Sequence, residues 1–299
     1  MKIEKLTPAY KDYIWGGRKL KEKYGKVSDT EPLAESWELS AHPDGLTRLS
    51  DGTPLLEAVS KAELGSALER FDRFPMLIKL IDAEQDLSVQ VHPSDEYALK
   101  NENSLGKTEL WYVVEAEAGA GLYVGFKEKI TKDEYAAAIR QNRLCELLNF
   151  FEVKAGDCYF IPAGTVHAIG RGCLICEIQQ NSNITYRVYD HGRLGKDGRP
   201  RELHIEKALA VSSLEPYSPQ KYENGYLGGC EYFTSYRIDV DGAFDLPLDT
   251  KSFRAICCVA GEGKIGNEKA TKGDSFFVGA CKDSLSLTGK MTLIVSFVP

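Results

Sequence analysis

Apolar and polar residues alternate in short runs along most of this chain, broken by Gly, Pro, Asn and Asp, and that pattern predicts a mainly β protein. In Leu87-Ser-Val-Gln-Val-His92 the alternation places Leu87, Val89 and Val91 on one face and Ser88, Gln90 and His92 on the other, with Pro93 ending the strand. Gly106-Lys-Thr-Glu-Leu-Trp111 likewise gathers Lys107, Glu109 and Trp111 on one side of a strand that continues through Tyr112, Val113 and Val114. Further along, Cys173, Ile175, Glu177 and Gln179 share a face. Helical periodicity is confined to Pro54 to Phe71, Thr131 to Asn142 with Thr131 as N-cap, and Glu202 to Ser212, which read as decorations on a β core.

An internal echo organises these strands. Ala155-Gly-Asp-Cys-Tyr-Phe-Ile-Pro-Ala163 aligns with Lys272-Gly-Asp-Ser-Phe-Phe-Val-Gly-Ala280, two turn-then-strand units that imply two β-barrels. The first unit runs on to His167, whereas no histidine follows His204, so only the first barrel can hold a histidine metal site. The boundary is expected in the polar stretch from about Leu214 to Gly229, giving a first domain over residues 1–214 and a smaller second one over 215–299. A chain of 299 residues with 43% hydrophobic content can bury one large core or two moderate ones.

A net charge of −7 and the lack of a dense Lys/Arg block exclude a nucleic-acid surface, and an anionic ligand must then be held by a few local cations. No apolar run has secretory or membrane-spanning length, so a cytoplasmic protein is expected. The eight scattered cysteines fit reduced thiols, and Cys173 with Cys176, the one CxxC pair, is read as strand.

The spacing Gly156-x5-Pro162-x-Gly164-x2-His167 matches the second motif of the cupin superfamily. Pro162 and Gly164 shape the turn from which His167 enters the barrel, and in a small barrel the polar face of Ser88, Gln90 and His92 is the ligand-facing interior. Gln90, His92, Glu109 and His167 would then form a mixed N/O site with an open position, as catalytic zinc requires, although the same donors also suit iron or manganese. The first cupin motif normally reads His-x-His; here it reads Gln90-x-His92.

Over nearly its whole length the chain resembles the type I phosphomannose isomerases, in particular the short bacterial form. The resemblance rests on Lys11-Asp-Tyr-Ile-Trp-Gly-Gly17, Glu35-Ser-Trp-Glu38, Leu87 to Pro93, Gly106 to Trp111, Pro162 to His167, Thr185-Tyr-Arg-Val-Tyr-Asp190 and Arg201-Glu-Leu-His-Ile-Glu-Lys207. It implies two cupin jelly-roll barrels with a few peripheral helices and zinc-dependent interconversion of mannose 6-phosphate and fructose 6-phosphate. One Zn2+ per chain would be held by Gln90, His92, Glu109 and His167. Lys79, Ser88, Lys107, Glu177 and Arg187 fall on the family's substrate-binding or proton-handling positions. Glu177 is the first choice for the carbon base, and Arg187, Lys79 and Lys107 are the candidate cations for the 6-phosphate. The basic loop from Gly192 to Arg201, with Arg193, Lys196 and Arg199, is expected to be solvated rather than a lid, and His42, His191 and His204 lie outside the metal set. Another cupin isomerase of sugar phosphates, or a regulator that binds them without turnover, are the alternatives.

Overall fold

The computed structural model describes all 299 residues, Met1 to Pro299. Three large antiparallel sheets, a two-stranded one formed by Ala41–His42 and Gly45–Leu46, and a band of helices build it in layers. The first sheet runs, in spatial order, Cys158–Ile161, Glu109–Ala116, Cys173–Gln180, Met76–Asp82, Glu35–Leu39 and Ala9–Lys11. The second runs Leu148–Glu152, Gly121–Phe126, His167–Ile169, Val89–Val91 and Tyr186–Tyr189. The third runs Ile3–Lys5, Ser275–Val278, Arg254–Ile265, Ser284–Phe297, Thr234–Pro247 and Tyr226–Gly229, with Glu268–Thr271 beside Arg254–Ile265.

Alternation sorts side chains between these layers. The first two sheets face each other across Trp15, Trp111, Val113, Leu122, Val124, Ile161, Ile169 and Ile175, which close the N-terminal barrel. In Cys173–Gln180, Cys173 and Ile175 join that interior while Leu174, Cys176 and Ile178 point the other way, so the CxxC thiols sit on opposite faces of one strand. The outward set, with Leu39, Met76, Ile78 and Leu80, packs against Leu227, Cys257, Phe277 and Ile294 of the third sheet, and against Phe233 and Phe253 just before two of its strands, in one continuous cluster. On the far side, Val89, Val91, Ala168, Tyr186 and Val188 are covered by Tyr135 and Ile139 of the helix Lys132–Arg140 and by Ala208 of the helix Ile205–Val211.

The third sheet closes on Val240, Ile256, Cys258, Ile265, Phe276, Leu285, Leu287, Leu293 and Val295, so the second barrel is filled with apolar side chains. The two echoed turns share a backbone conformation, with Gly156 and Gly273 both at φ +97°, which only glycine adopts without strain. Between the barrels, Lys26 Nζ lies 2.6 Å from Glu38 Oε1 and donates to the Gly273 carbonyl at 2.6 Å, while Ser275 Oγ donates to Glu38 Oε2 at 2.6 Å. The second turn, lacking a histidine, thus receives a buried ion pair from the first barrel.

The mainly β, two-barrel expectation holds, and several local expectations change. Ile3–Lys5 pairs with Ser275–Val278, so chain order and sheet membership part company at the N-terminus. Pro54 to Phe71 is not one helix but Leu55–Ala58, Lys61–Leu64 and a 3-10 turn Ser66–Arg70. Ser60 starts the second of these through a reciprocal capping box with Glu63. Gly65, at φ +96°, ends it where an added Cβ would lie 2.4 Å from the Lys251 carbonyl, so packing against the C-terminal half overrides helical periodicity. Thr131 caps Lys132–Arg140 as expected, through a capping box with Glu134. The helix Asp95–Glu102, begun at Ser94 directly after Pro93, carries no strong apolar stripe and was not anticipated.

Candidate metal centre

Register decides which side chains meet inside the N-terminal barrel. His167 stands opposite Gln90, and Gln90 opposite Arg187. Directly opposed residues of antiparallel strands project to the same side, so these three form a row across the second sheet. On the facing sheet, Trp111, Glu177, Lys79 and Trp37 form a matching row. His92 follows Val91, and its carbonyl accepts the Gly164 N–H at 2.8 Å, which ties the turn before His167 to the other metal histidine. Leu87 departs from the expected alternation. It packs inside with Trp15 and Ile169, ahead of the strand Val89–Val91; Ser88 still lines the cavity.

His92, Glu109 and His167 are buried, with a ligand atom from each within 4.8 Å of the others. His92 Nε2 and His167 Nε2 are 3.1 Å apart, and they lie 3.3 and 3.4 Å from the two Glu109 oxygens. His167 Nδ1–H donates to the Thr165 carbonyl at 2.8 Å, which leaves the Nε2 lone pair free to ligate. Burial, and then the Lys107 ammonium, lower His92 to about 3, and burial also lowers His167, so both rings are neutral, the form that binds metal. Burial alone would raise Glu109, but the Lys107 ammonium holds it well below the usual carboxylate range. Neither Glu109 oxygen receives an aligned hydrogen bond, although Lys107 Nζ is drawn to 2.5 Å from Oε1. Two neutral imidazoles and an ionised carboxylate, buried and converging on one point, are the donors of a divalent cation. The donor set therefore fits a metal, and Gln90, one strand spacing from His167, can add an amide oxygen.

Beside this group lies a cavity of about 300 Å³ lined by Lys79, Ser88, Gln90, Lys107, Glu177 and Arg187, among others. Glu177 accepts from Trp111 Nε1 at 2.8 Å and lies 3.3 Å from Lys79 Nζ. Burial, then Glu109, raises its carboxyl above the ordinary range. Sequence reasoning passed over Tyr13, Trp15, Glu35, Asn183, Arg201 and His204, which also line the cavity. All lie in or beside the quoted motifs, but their inward direction is set by tertiary packing. His204 Nδ1 accepts the Arg187 N–H at 3.2 Å and stays outside the metal group. The basic loop divides: Lys196 and Arg199 are exposed as expected, whereas Arg193 and Arg201 turn inward onto Asp190.

Residues 3–117 match the family model described as phosphomannose isomerase type I, catalytic domain, and residues 223–298 match that of mannose-6-phosphate isomerase, cupin domain. The chain is 36% identical to the mannose-6-phosphate isomerase of Streptococcus mutans, over 95% of this chain and 94% of that one. It is 36% identical to the mannose-6-phosphate isomerase ManA of Bacillus subtilis, over 87% and 86%. A crystal structure of the mannose 6-phosphate isomerase from Bacillus subtilis superposes with a TM-score of 0.90 at 35% identity, covering 99% of each chain.

Proposed function

The chain belongs to the type I phosphomannose isomerase family and is an isomerase, and we propose that it interconverts mannose 6-phosphate and fructose 6-phosphate through an enediol. The observation that carries this reading is the convergence of His92, Glu109 and His167 beside a cavity edged by lysine and arginine. With Gln90 as fourth donor, the ion assigned to them is zinc, one per chain. Bound there, it supplies a Lewis acid for negative charge that develops on the C1 and C2 oxygens.

Glu177 is assigned as the carbon base, since a buried carboxylate with a raised pKa is a stronger base than a solvated one. It takes the proton from C2 of the aldose while the C1 oxygen gains one, giving the enediol. It then returns the proton to C1 as the C2 hydroxyl loses its own. Lys107, at the edge of the metal group, is assigned to the oxygen-bound protons. Ser88 and Lys79 are assigned to the sugar; Lys79 lies within 3.6 Å of both Glu35 and Glu177, so its charge is already offset and the 6-phosphate falls chiefly to Arg187. No helix is long and apolar enough to cross a membrane, and the reaction is assigned to the cytoplasm, where sugar phosphates are held.

A coupled isomerase assay run with metal analysis tests the assignment. About one zinc per chain is expected, with turnover of mannose 6-phosphate lost on chelation and restored by metal. Turnover that survives complete metal removal, or a preference for glucose 6-phosphate, would overturn it.

A further inference from the structure

We infer that Arg201, held by the buried carboxylate of Asp190, is a second guanidinium for the substrate's phosphate group, acting beside Arg187. This rests on the reading that the substrate is a phosphorylated sugar. Asp190 and Arg201 come from two motifs, Thr185 to Asp190 and Arg201 to Lys207, of which the metal centre uses neither.

Asp190 is only 6% exposed. Arg201 grips it with two nitrogens: Nε donates to Oδ2 at 2.7 Å, and Nη2 pairs with Oδ1. Arg193 Nη2 donates to the same Oδ1 at 2.7 Å, and its Nη1 donates to the Asp86 carbonyl. One buried carboxylate thus serves two guanidiniums, and a third, Arg187, stands close by. Glu202, the other acid acting on Arg187, has its side chain 83% exposed. Arg187 spends Nη1 on the Glu202 carbonyl at 2.9 Å, while its Nε is buried without a partner. Arg187 and Arg201 both line the cavity; Arg193, on the other side of Asp190, does not.

The corner therefore carries more positive than negative charge, which a phosphate dianion offsets with charge-assisted hydrogen bonds from planar donors. Burial, and then repulsion from Arg201, lower the Arg187 pKa, the direction expected of cations gathered without their anion. Position agrees. Arg187 lies two strands from His167 across the second sheet, roughly 10 Å at the usual strand spacing, so the anion corner stands apart from the two histidines with Gln90 between them. A sugar phosphate spanning the two presents C1 and C2 to the metal group and the phosphate to the corner. Asp190 is a positioning residue in this arrangement, because it acts only through Arg201.

Calorimetric titration with inorganic phosphate, together with kinetics on mannose 6-phosphate, tests the clamp in the full-length metal-loaded protein. Arg201→Ala is expected to weaken phosphate binding by about tenfold or more and to raise KM by a similar factor, with a smaller change in kcat. Arg201→Lys, which keeps the charge but not the fork, recovers part of the loss and serves as the folded variant if alanine is not tolerated. Asp190→Asn is expected to raise KM less than Arg201→Ala does; an unchanged KM there would remove its positioning role. Phosphate affinity in Arg201→Ala and Arg201→Lys within about twofold of the wild type would overturn the inference, as would a wild type that binds no phosphate. If phosphate binds and Arg201→Ala weakens it while mannose 6-phosphate is not turned over, the anion site stands and the isomerase reading falls.

Discussion

Lys79 keeps its charge in the barrel wall, 3% exposed, because Glu35 Oε2 at 3.6 Å, Glu177 Oε1 at 3.3 Å and the face of Trp37 surround it. That a partner existed was legible in Met76 to Ile81, where apolar neighbours leave a lysine no route to water. Which partner was not, because Glu35 reaches it from a strand more than 40 positions away. Glu177→Gln keeps the shape of this group and removes the base. Exchange of the C2 hydrogen with solvent should then cease while metal content stays near that of the wild type; persisting exchange would move the base elsewhere. Asp82 offers a separate test by pH. Burial raises it to about 6, against roughly 3.9 unfolded, so ionisation costs the folded state stability that returns as pH falls from about 6 towards 4. Asparagine can still accept the Lys19 N–H, which Asp82 now does at 2.7 Å. Asp82→Asn is thus expected to be more stable than the wild type by on the order of 1–2 kcal/mol at pH 7, with the gap closing near pH 4 in parallel thermal melts.

Among elements, strands were easier to read than helices. The strand period survives in Glu109–Ala116 and Cys173–Gln180 because both faces are buried in different cores, each selecting its own set of side chains. It failed at Leu87, which lies ahead of the strand Val89–Val91; its N–H still donates to the Ile169 carbonyl at 2.9 Å, but its side chain packs inside. Helical periodicity over residues 54–71 misled, since the position that breaks it, Gly65, is fixed by contact with Lys251 nearly 190 residues later. Gly65→Ala would set a Cβ against that carbonyl in a backbone region hostile to L side chains. A loss of about 2 kcal/mol or more is expected in urea unfolding, with KM for mannose 6-phosphate unchanged in the folded fraction. Arg201 marks a different limit: a run of loop cations reads as solvated until the fold supplies Asp190 beneath it.

At the level of the molecule, the two barrels share one apolar cluster and the buried Lys26–Glu38 pair. Glu38 accepts from Ser36, Lys26 and Ser275, so Glu38→Gln leaves an ammonium uncompensated between the barrels; a cost of about 3–5 kcal/mol is expected, read as a lower urea midpoint of a single transition. Two separate transitions would show instead that the barrels unfold independently. Duplication was legible in the echoed Gly-Asp turns, but their joining was not, because it depends on outward faces that one strand's alternation cannot assign to a partner. The pairing of Ile3–Lys5 with Ser275–Val278 has a consequence for synthesis. Ile3–Lys5 leaves the ribosome long before its hydrogen-bond partner, so the third sheet can be completed only once Ser275–Val278 has also emerged. Until then Ile3–Lys5 presents an unpaired edge, which makes it a segment a chaperone would protect during synthesis.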